Sequence, residues 1–418
     1  MEKLQFDIVV IGGGPAGLAA LKKASDNLAL KVALIERDDH LGGILKQCIH
    51  DGFGLVKYQK LMTGPEYAQK EIDALNGKSN ITYFMKTFVF SIKKDMNHYD
   101  IECVNTRGGY QIITKKIIFA TGCRERSAKQ ILIPGTNPTG VMTAGKAQFY
   151  VNKLGYLPGK NFVILGSGDI GLIMARRISL EGGKVLGVYE VRKTPSGLTR
   201  NIEQCLNDFN IPLYLSTTVT RLIGEERLEA VEIMSLDEHG KYIKASKKII
   251  PCDALILSVG LIPENELAES FGVKLSPITN GIMVDQDFRS ISHPDIFACG
   301  NSVHVFDLVD YCSKSGEIAG EVASKENKEQ TFIDVNAGNM IRYVIPNKIN
   351  LNSNINNVMF NFRSIDDYTN KVLRIKQGTE VILEKALNDV KCAECQKYNL
   401  DLSKINHTDP IIVSLEDK

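Results

Sequence analysis

The chain has 418 residues, 44% hydrophobic and 24% charged, with 50 Lys and Arg against 49 Asp and Glu for a formal net charge of +1. That length suits two or three domains with large cores, and the near-zero charge leaves no global basic field, which argues against nucleic acid as a partner. Nine cysteines, an odd number scattered along the chain, point to reduced thiols and a cytoplasmic setting. No membrane span is visible, and the apolar stretch Ile8 to Leu21 is broken by glycines and lacks the basic region and cleavage site of a signal peptide.

The first predicted strand, Phe6 to Ile11, runs into Gly12-x-Gly14-x-x-Gly17. A helix follows over Leu18 to Lys23, and the strand Val32 to Ile35 delivers Glu36, 19 residues after the third glycine. This is a dinucleotide-binding fingerprint. The first glycine permits the tight turn, the second lets backbone approach a pyrophosphate, and the third lets helix and sheet pack closely. The helix N-terminus then offers unpaired amides and its positive dipole end to the phosphates, so no lysine is needed. Glu36 lies where a carboxylate accepts hydrogen bonds from ribose hydroxyls.

A Gly42-Gly43 turn, Cys48 and His50 come next, then a β-rich stretch from Tyr83 to Cys103 whose alternation suits a meander. It closes with Lys116 to Gly122. A second fingerprint of the same type follows: Asn161 to Leu165 runs into Gly166-x-Gly168-x-x-Gly171, and Val185 to Tyr189 delivers Glu190, again 19 residues on. Asp169 sets this copy apart, because it stands inside the turn a phosphate would approach. More short strands lead to Ala254 to Gly260. The parallel order predicts one three-layer dinucleotide domain inserted in another.

A third signal, Asp295 to Asn301, is an apolar strand ending in glycine and a polar residue before a helical run from about Ser315 to Lys325. Its natural place is back in the first domain. From about Thr331 the pattern changes to short apolar segments at Met340 to Ile345, Val358 to Phe362, Val372 to Ile375 and Val381 to Leu383, which predict a small all-β domain, with Asn347 to Asn357 as a loop. The expected fold is thus α/β, with two nested Rossmann-like domains and a C-terminal all-β domain. Its expected limits are 1–125 with 259–330, 126–258, and 331–418.

Asp7 to Gly17, Glu36, Ala120-Thr121-Gly122, the second fingerprint and Ala298-Cys299-Gly300-Asn301 together resemble the flavoproteins with two dinucleotide-binding domains, the superfamily of thioredoxin reductase and glutathione reductase. Leu41 to His50, Gly64 to Ala68, Gly166 to Arg177, Ser258 to Leu267 and Asp307 to Asp310 resemble one branch more closely. Those are the NAD(P)/FAD-dependent oxidoreductases associated with glycerol-3-phosphate dehydrogenase operons and related to subunits of sarcosine oxidase and hydrogen cyanide synthase.

The resemblance implies FAD in the first domain, with Gly12, Gly14, Pro15, Ala16 and Gly17 at the pyrophosphate and Glu36 and Arg37 toward the adenosine ribose. It puts Gly42 and Gly43 beside the flavin and Val89 at the adenine. Ala120, Thr121 and Gly122 would close the domain, and Gly300 and Asn301 would lie at the ribityl chain. Gly166, Gly168, Gly171, Glu190 and Gly260 would hold the nicotinamide nucleotide. A carboxylate repels a 2′-phosphate, so Glu190 favours NAD(H) over NADP(H), although Arg192 and Lys193 blunt the inference. Disulfide reductases of the superfamily carry a cysteine pair near the flavin or in the nicotinamide domain, and neither place has one here.

Cys48 and His50 remain weak catalytic candidates, an inert packed thiol and a satisfied histidine being the plainer readings. Cys392-x-x-Cys395 has redox or metal spacing, yet it lacks a second pair, and His407 is a poor substitute. The expected function is an FAD oxidoreductase exchanging hydride with NAD(H) and electrons with an acceptor or dehydrogenase partner subunit. The alternatives are a thiol-disulfide reductase using Cys392 and Cys395, or a non-catalytic flavin-carrying subunit of a larger complex.

Overall fold

A computed structural model of the chain describes residues 2–406 and 408–418, so His407 lies outside them. The chain packs as two compact units, one of residues up to Cys123 together with Pro263–Lys418, the other Arg124–Ile262.

In the first unit the strand Glu2–Ile11 lies between Val32–Ile35 and Gly108–Phe119, parallel to both. Ile8, Val9 and Val10 are fully buried, as expected of a β-branched run covered on both faces. The 12-residue strand Gly108–Phe119 serves two neighbours on the edge away from Glu2–Ile11. Its first part pairs antiparallel with His98–Asn105, and its end pairs parallel with Ile296–Ala298. The third sequence signal therefore returns to the first sheet, and the carboxyl ends of these strands converge on the glycine turn.

The helix after that turn runs Pro15–Ala24, three residues earlier than the apolar pattern indicated, because Pro15 takes the first helical position. The helix expected from about Ser315 is Val309–Ala323. Val309, Asp310, Tyr311, Cys312 and Ser313 are weak helix formers and hid its first turns, while Gly316 and Gly320 lie in the part that was expected. Tertiary packing needs the glycines: a Cβ on Gly316 would sit 2.0 Å from the Ala16 carbonyl oxygen, and one on Gly320 2.2 Å from that of Ala20. The two helices thus touch backbone to backbone beside the fingerprint.

The second unit repeats the plan with a parallel sheet in the order Val141–Thr143, Ala254–Leu257, Asn161–Leu165, Lys184–Tyr189, Leu213–Tyr214. A three-stranded antiparallel sheet, Thr217–Ile223, Ala230–Ser235 and Lys248–Pro251, joins it.

The tail belongs to the first unit and is all-β, with a five-stranded and a three-stranded sheet around Phe360, Phe362, Leu373, Ile375, Val413 and Leu415. Its strands outrun the apolar cores seen in sequence: Val358 to Phe362 becomes Asn357–Ser364, and Val381 to Leu383 becomes Glu380–Val390. The Asn-rich stretch expected as a loop contains the strand Lys348–Asn350, paired with Phe332–Ala337. Backbone pairing recruits polar residues that periodicity alone does not assign.

Candidate functional site: two glycine turns and their acids

Gly12 has φ +109°, and a Cβ there would lie 2.3 Å from the Ala120 carbonyl oxygen. A Cβ on Gly17 would lie 1.9 Å from the Gly12 oxygen, whereas one on Gly14 would meet no atom of the described residues within 4 Å. Two glycines are therefore demanded by the fold, and the third faces open space. The helix beginning at Pro15 has no side-chain cap and no acid in its first turn, so its amides and dipole remain available to an anion. Glu36 is buried; its Oε2 accepts from Gly13 N at 2.6 Å and its Oε1 from Asp38 N at 2.9 Å. One donor on each oxygen orients the carboxylate and leaves acceptor capacity on both.

Other expected residues gather at this turn. Gly42 N donates to Gly13 O at 2.8 Å, a Cβ on Gly43 would be 3.1 Å from Gly14 Cα, and one on Gly300 would be 2.7 Å from Ala16 Cβ. Ala120 N donates to Ile11 O, and the Thr121 hydroxyl is buried with no hydrogen-bond partner among the described residues. An open glycine face, an uncapped helix start and an orphaned buried hydroxyl fit a phosphate-bearing cofactor with hydroxyl groups. Gly122, at φ +73°, is open. Two expected residues stand apart: Val89 is buried in the core with Phe84 and Ile92, and Arg37 is exposed and pairs with Glu264 at 3.0 Å.

Asn301 sits in a setting the sequence did not signal. Its Nδ2 donates to Cys123 Sγ at 3.3 Å, and its Oδ1 accepts from Phe306 N at 3.1 Å and from Cys312 Sγ at 3.6 Å. Cys123 is half-buried, Cys312 and Cys299 are buried, and burial raises both of the latter thiols. The only available hint was Cys123 following Ala120-Thr121-Gly122 directly.

The second turn is built alike but filled differently. A Cβ on Gly166 would lie 2.1 Å from the Ser258 oxygen, and one on Gly171 2.6 Å from Ser258 Cβ. Ser258 holds the strand-end position that Ala120 holds in the first unit, and its hydroxyl accepts from Gly171 N at 3.1 Å. Gly260, at φ +102°, is open. Asp169, expected in the path of a phosphate, has its Oδ1 engaged by Leu198 N at 2.8 Å and Asn201 Nδ2 at 2.6 Å. Its carboxylate ties the segment after Glu190 to the start of the helix Asp169–Leu180. Glu190 Oε2 accepts from Ser167 N, Ser167 Oγ and Ser196 Oγ at 2.9, 2.6 and 2.9 Å, and Oε1 from Arg192 N at 3.0 Å.

The thiols singled out in sequence are quiet. Cys48 is buried, donates to Ile44 O at 3.3 Å, and is pushed up to about 12 by burial. His50 lies 5.1 Å from the Phe53 ring. Cys392 and Cys395 are both buried, between the strands Glu380–Val390 and Gln396–Asp401. Burial pushes Cys395 up to about 11. Among the described residues, Asp366, Asp367 and Cys392 bring ligand atoms within 4.8 Å of one another, but Cys392 N and Lys391 already engage Asp367. No helix among the described residues is long and apolar enough to cross a membrane.

Two glycine turns, each at the carboxyl ends of parallel strands and each with an acid after the second strand, define a protein with two dinucleotide-binding folds. Residues 6–316 match the pyridine nucleotide-disulphide oxidoreductase family, and the chain belongs to that family of flavin- and NAD(P)-dependent oxidoreductases. It is 25% identical over 347 residues to an opine oxidase subunit of Agrobacterium tumefaciens, a match covering 76% of this chain and 64% of that relative's length. It is 26% identical to ferredoxin–NADP reductase 1 of Bacillus cytotoxicus, covering 79% and 91%. Subunits of sarcosine oxidase and hydrogen cyanide synthase are similar as well, in line with the resemblance noted in sequence. In fold it is similar to thioredoxin reductase of T. acidophilum, with TM-score 0.62, 23% identity, and coverage of 77% and 98%.

Proposed function

We propose that the chain is an FAD-dependent oxidoreductase that exchanges hydride with a nicotinamide nucleotide and passes electrons to a separate acceptor or partner subunit. The observation that carries this reading is the pair of glycine turns, each with its own buried acid 19 residues downstream. FAD, when bound, supplies reversible two-electron chemistry, so the protein's task is to bind and orient. The first turn and its helix start receive the pyrophosphate, Glu36 accepts from the adenosine ribose, and Asn301 offers an oriented carboxamide to the ribityl chain. Glu190 does the ribose-reading work in the second unit and favours NAD(H), because a buried carboxylate repels a 2′-phosphate.

Several relatives are named as subunits, which supports an acceptor on another chain. The branch resemblance supports a role in glycerol-3-phosphate metabolism, and nine free cysteines support a cytoplasmic setting. Anaerobic titration of the purified flavoprotein with NADH should bleach the flavin absorbance. Bound FAD that NADH leaves unbleached, at any concentration, would remove the nicotinamide half of the reading.

The rival thiol-disulfide reductase is disfavoured by the burial of Cys392 and Cys395 and by the raised Cys395 thiol. Replacing both by Ser should leave flavin reduction and electron output unchanged; a loss of disulfide-reducing turnover would reinstate it.

A further inference from the structure

Arg363 lies on the tail strand Asn357–Ser364, far in sequence from any glycine turn, and its side chain is 15% exposed. All three guanidinium nitrogens are engaged. Nη2 donates to Asp307 Oδ1 and, at 3.3 Å, to Val305 O; Nη1 donates to Ala393 O; Nε donates to Tyr343 Oη at 3.1 Å. Asp307 Oδ2 in turn accepts from Cys395 N at 2.6 Å. A planar, always-charged guanidinium with five N–H donors can hold a carboxylate, two backbone carbonyls and a tyrosine oxygen at once, one partner more than the three N–H of a lysine ammonium can serve.

The residues clamped, Val305 and Asp307, flank Phe306, and Phe306 N donates to Asn301 Oδ1 at 3.1 Å. An asparagine carboxamide is nearly symmetric in shape, so a neighbour must decide which end donates. Phe306 N does so, leaving Nδ2 toward Cys123. We infer that Arg363 is a positioning residue for Asn301: through Asp307 and Val305 it fixes Phe306, and thereby the orientation in which Asn301 meets the flavin. The tail is then a working part of the cofactor site. This rests on the reading of Asn301 as a flavin contact.

The test is a thermodynamic cycle read as FAD affinity, by fluorescence titration of the full-length apoprotein. Arg363→Met weakens FAD by about tenfold in the parent chain, and by less than about twofold in the Asn301→Ala background, because coupled residues are non-additive. Asp307→Asn, which keeps the shape and the acceptor for Cys395 N, runs in parallel in case Arg363→Met fails to fold, and follows the same pattern. Arg374→Gln, which removes an exposed tail ion pair with Glu384, changes neither background. A loss of equal size in both backgrounds, or no loss in either, overturns the inference. An Asn301→Ala chain that binds FAD as tightly as the parent overturns the reading of Asn301 itself, and a parent chain that binds no FAD overturns the proposed function.

Discussion

Ser196 donates its hydroxyl to Glu190 Oε2 at 2.9 Å, beside the amide and hydroxyl of Ser167 on the same oxygen. Glu36 holds a single donor on each oxygen. The two acids therefore start from different states: both oxygens of Glu36 have room for a further donor, while in the second unit only Oε1 does.

Glu190→Gln is expected to lower NADH affinity by about tenfold and to raise NADPH affinity, since the substitution removes a ribose acceptor's charge and with it the repulsion of a 2′-phosphate. Stopped-flow flavin reduction over a range of each nucleotide measures both. An unchanged preference would mean that Glu190 serves only Ser167 and Ser196.

Gly316→Ala should destabilise the first unit by about 1–3 kcal/mol, the usual cost of overpacking. Its Cβ would lie 2.0 Å from the Ala16 carbonyl oxygen, which helix backbone cannot yield without moving Pro15–Ala24. Thermal unfolding should show the loss, and FAD affinity should fall with it because Ala16 stands in the first turn of the helix behind the glycine turn.

Cys48→Ala should leave turnover at the parent level. A thiol pushed up to about 12 is thiolate in only about one molecule in ten thousand at pH 8. Iodoacetamide at that pH, followed by peptide mass spectrometry, should leave Cys48 unlabelled until denaturant is added; rapid native labelling would contradict the burial argument.

Acid should weaken the fold through His304. Burial, with Arg363 and Lys397 close by, pushes its pKa down from 6.5 to about 3. The unfolded chain binds a proton near pH 6.5 that the folded chain refuses, so this contribution is complete above 6.5 and is lost as pH falls toward 3. Between pH 7 and pH 5 the unfolding free energy of the parent should fall by about 2 kcal/mol more than that of His304→Gln. Urea titrations at the two pH values measure the difference, and parallel losses would show that His304 is not held neutral.

Much of the site could be read in advance because it is local. A tight turn leaving a buried strand needs glycine where a Cβ would strike Ala120 or Ser258, and the acids fall where the second parallel strand ends. The start of the helix Val309–Ala323 was hidden, since Val309, Asp310, Tyr311, Cys312 and Ser313 carry little helix propensity and are held helical by tertiary packing. Asp169 looked like an obstacle in sequence, because nothing local announced that Leu198 and Asn201 would claim its carboxylate.

By itself, then, the sequence determined what backbone geometry dictates within a few residues: the parallel strands around two glycine turns, two acids, and an all-β tail. The tertiary structure alone decided which side chains meet those turns. Cys123 reaches Asn301 across 178 residues and Arg363 reaches Asp307 across 56, separations at which sheet pairing and core packing, and no periodicity, set the neighbours. Glu36 and Glu190 look identical in sequence for the same reason, and only the packing of Ser167 and Ser196 makes them different acceptors.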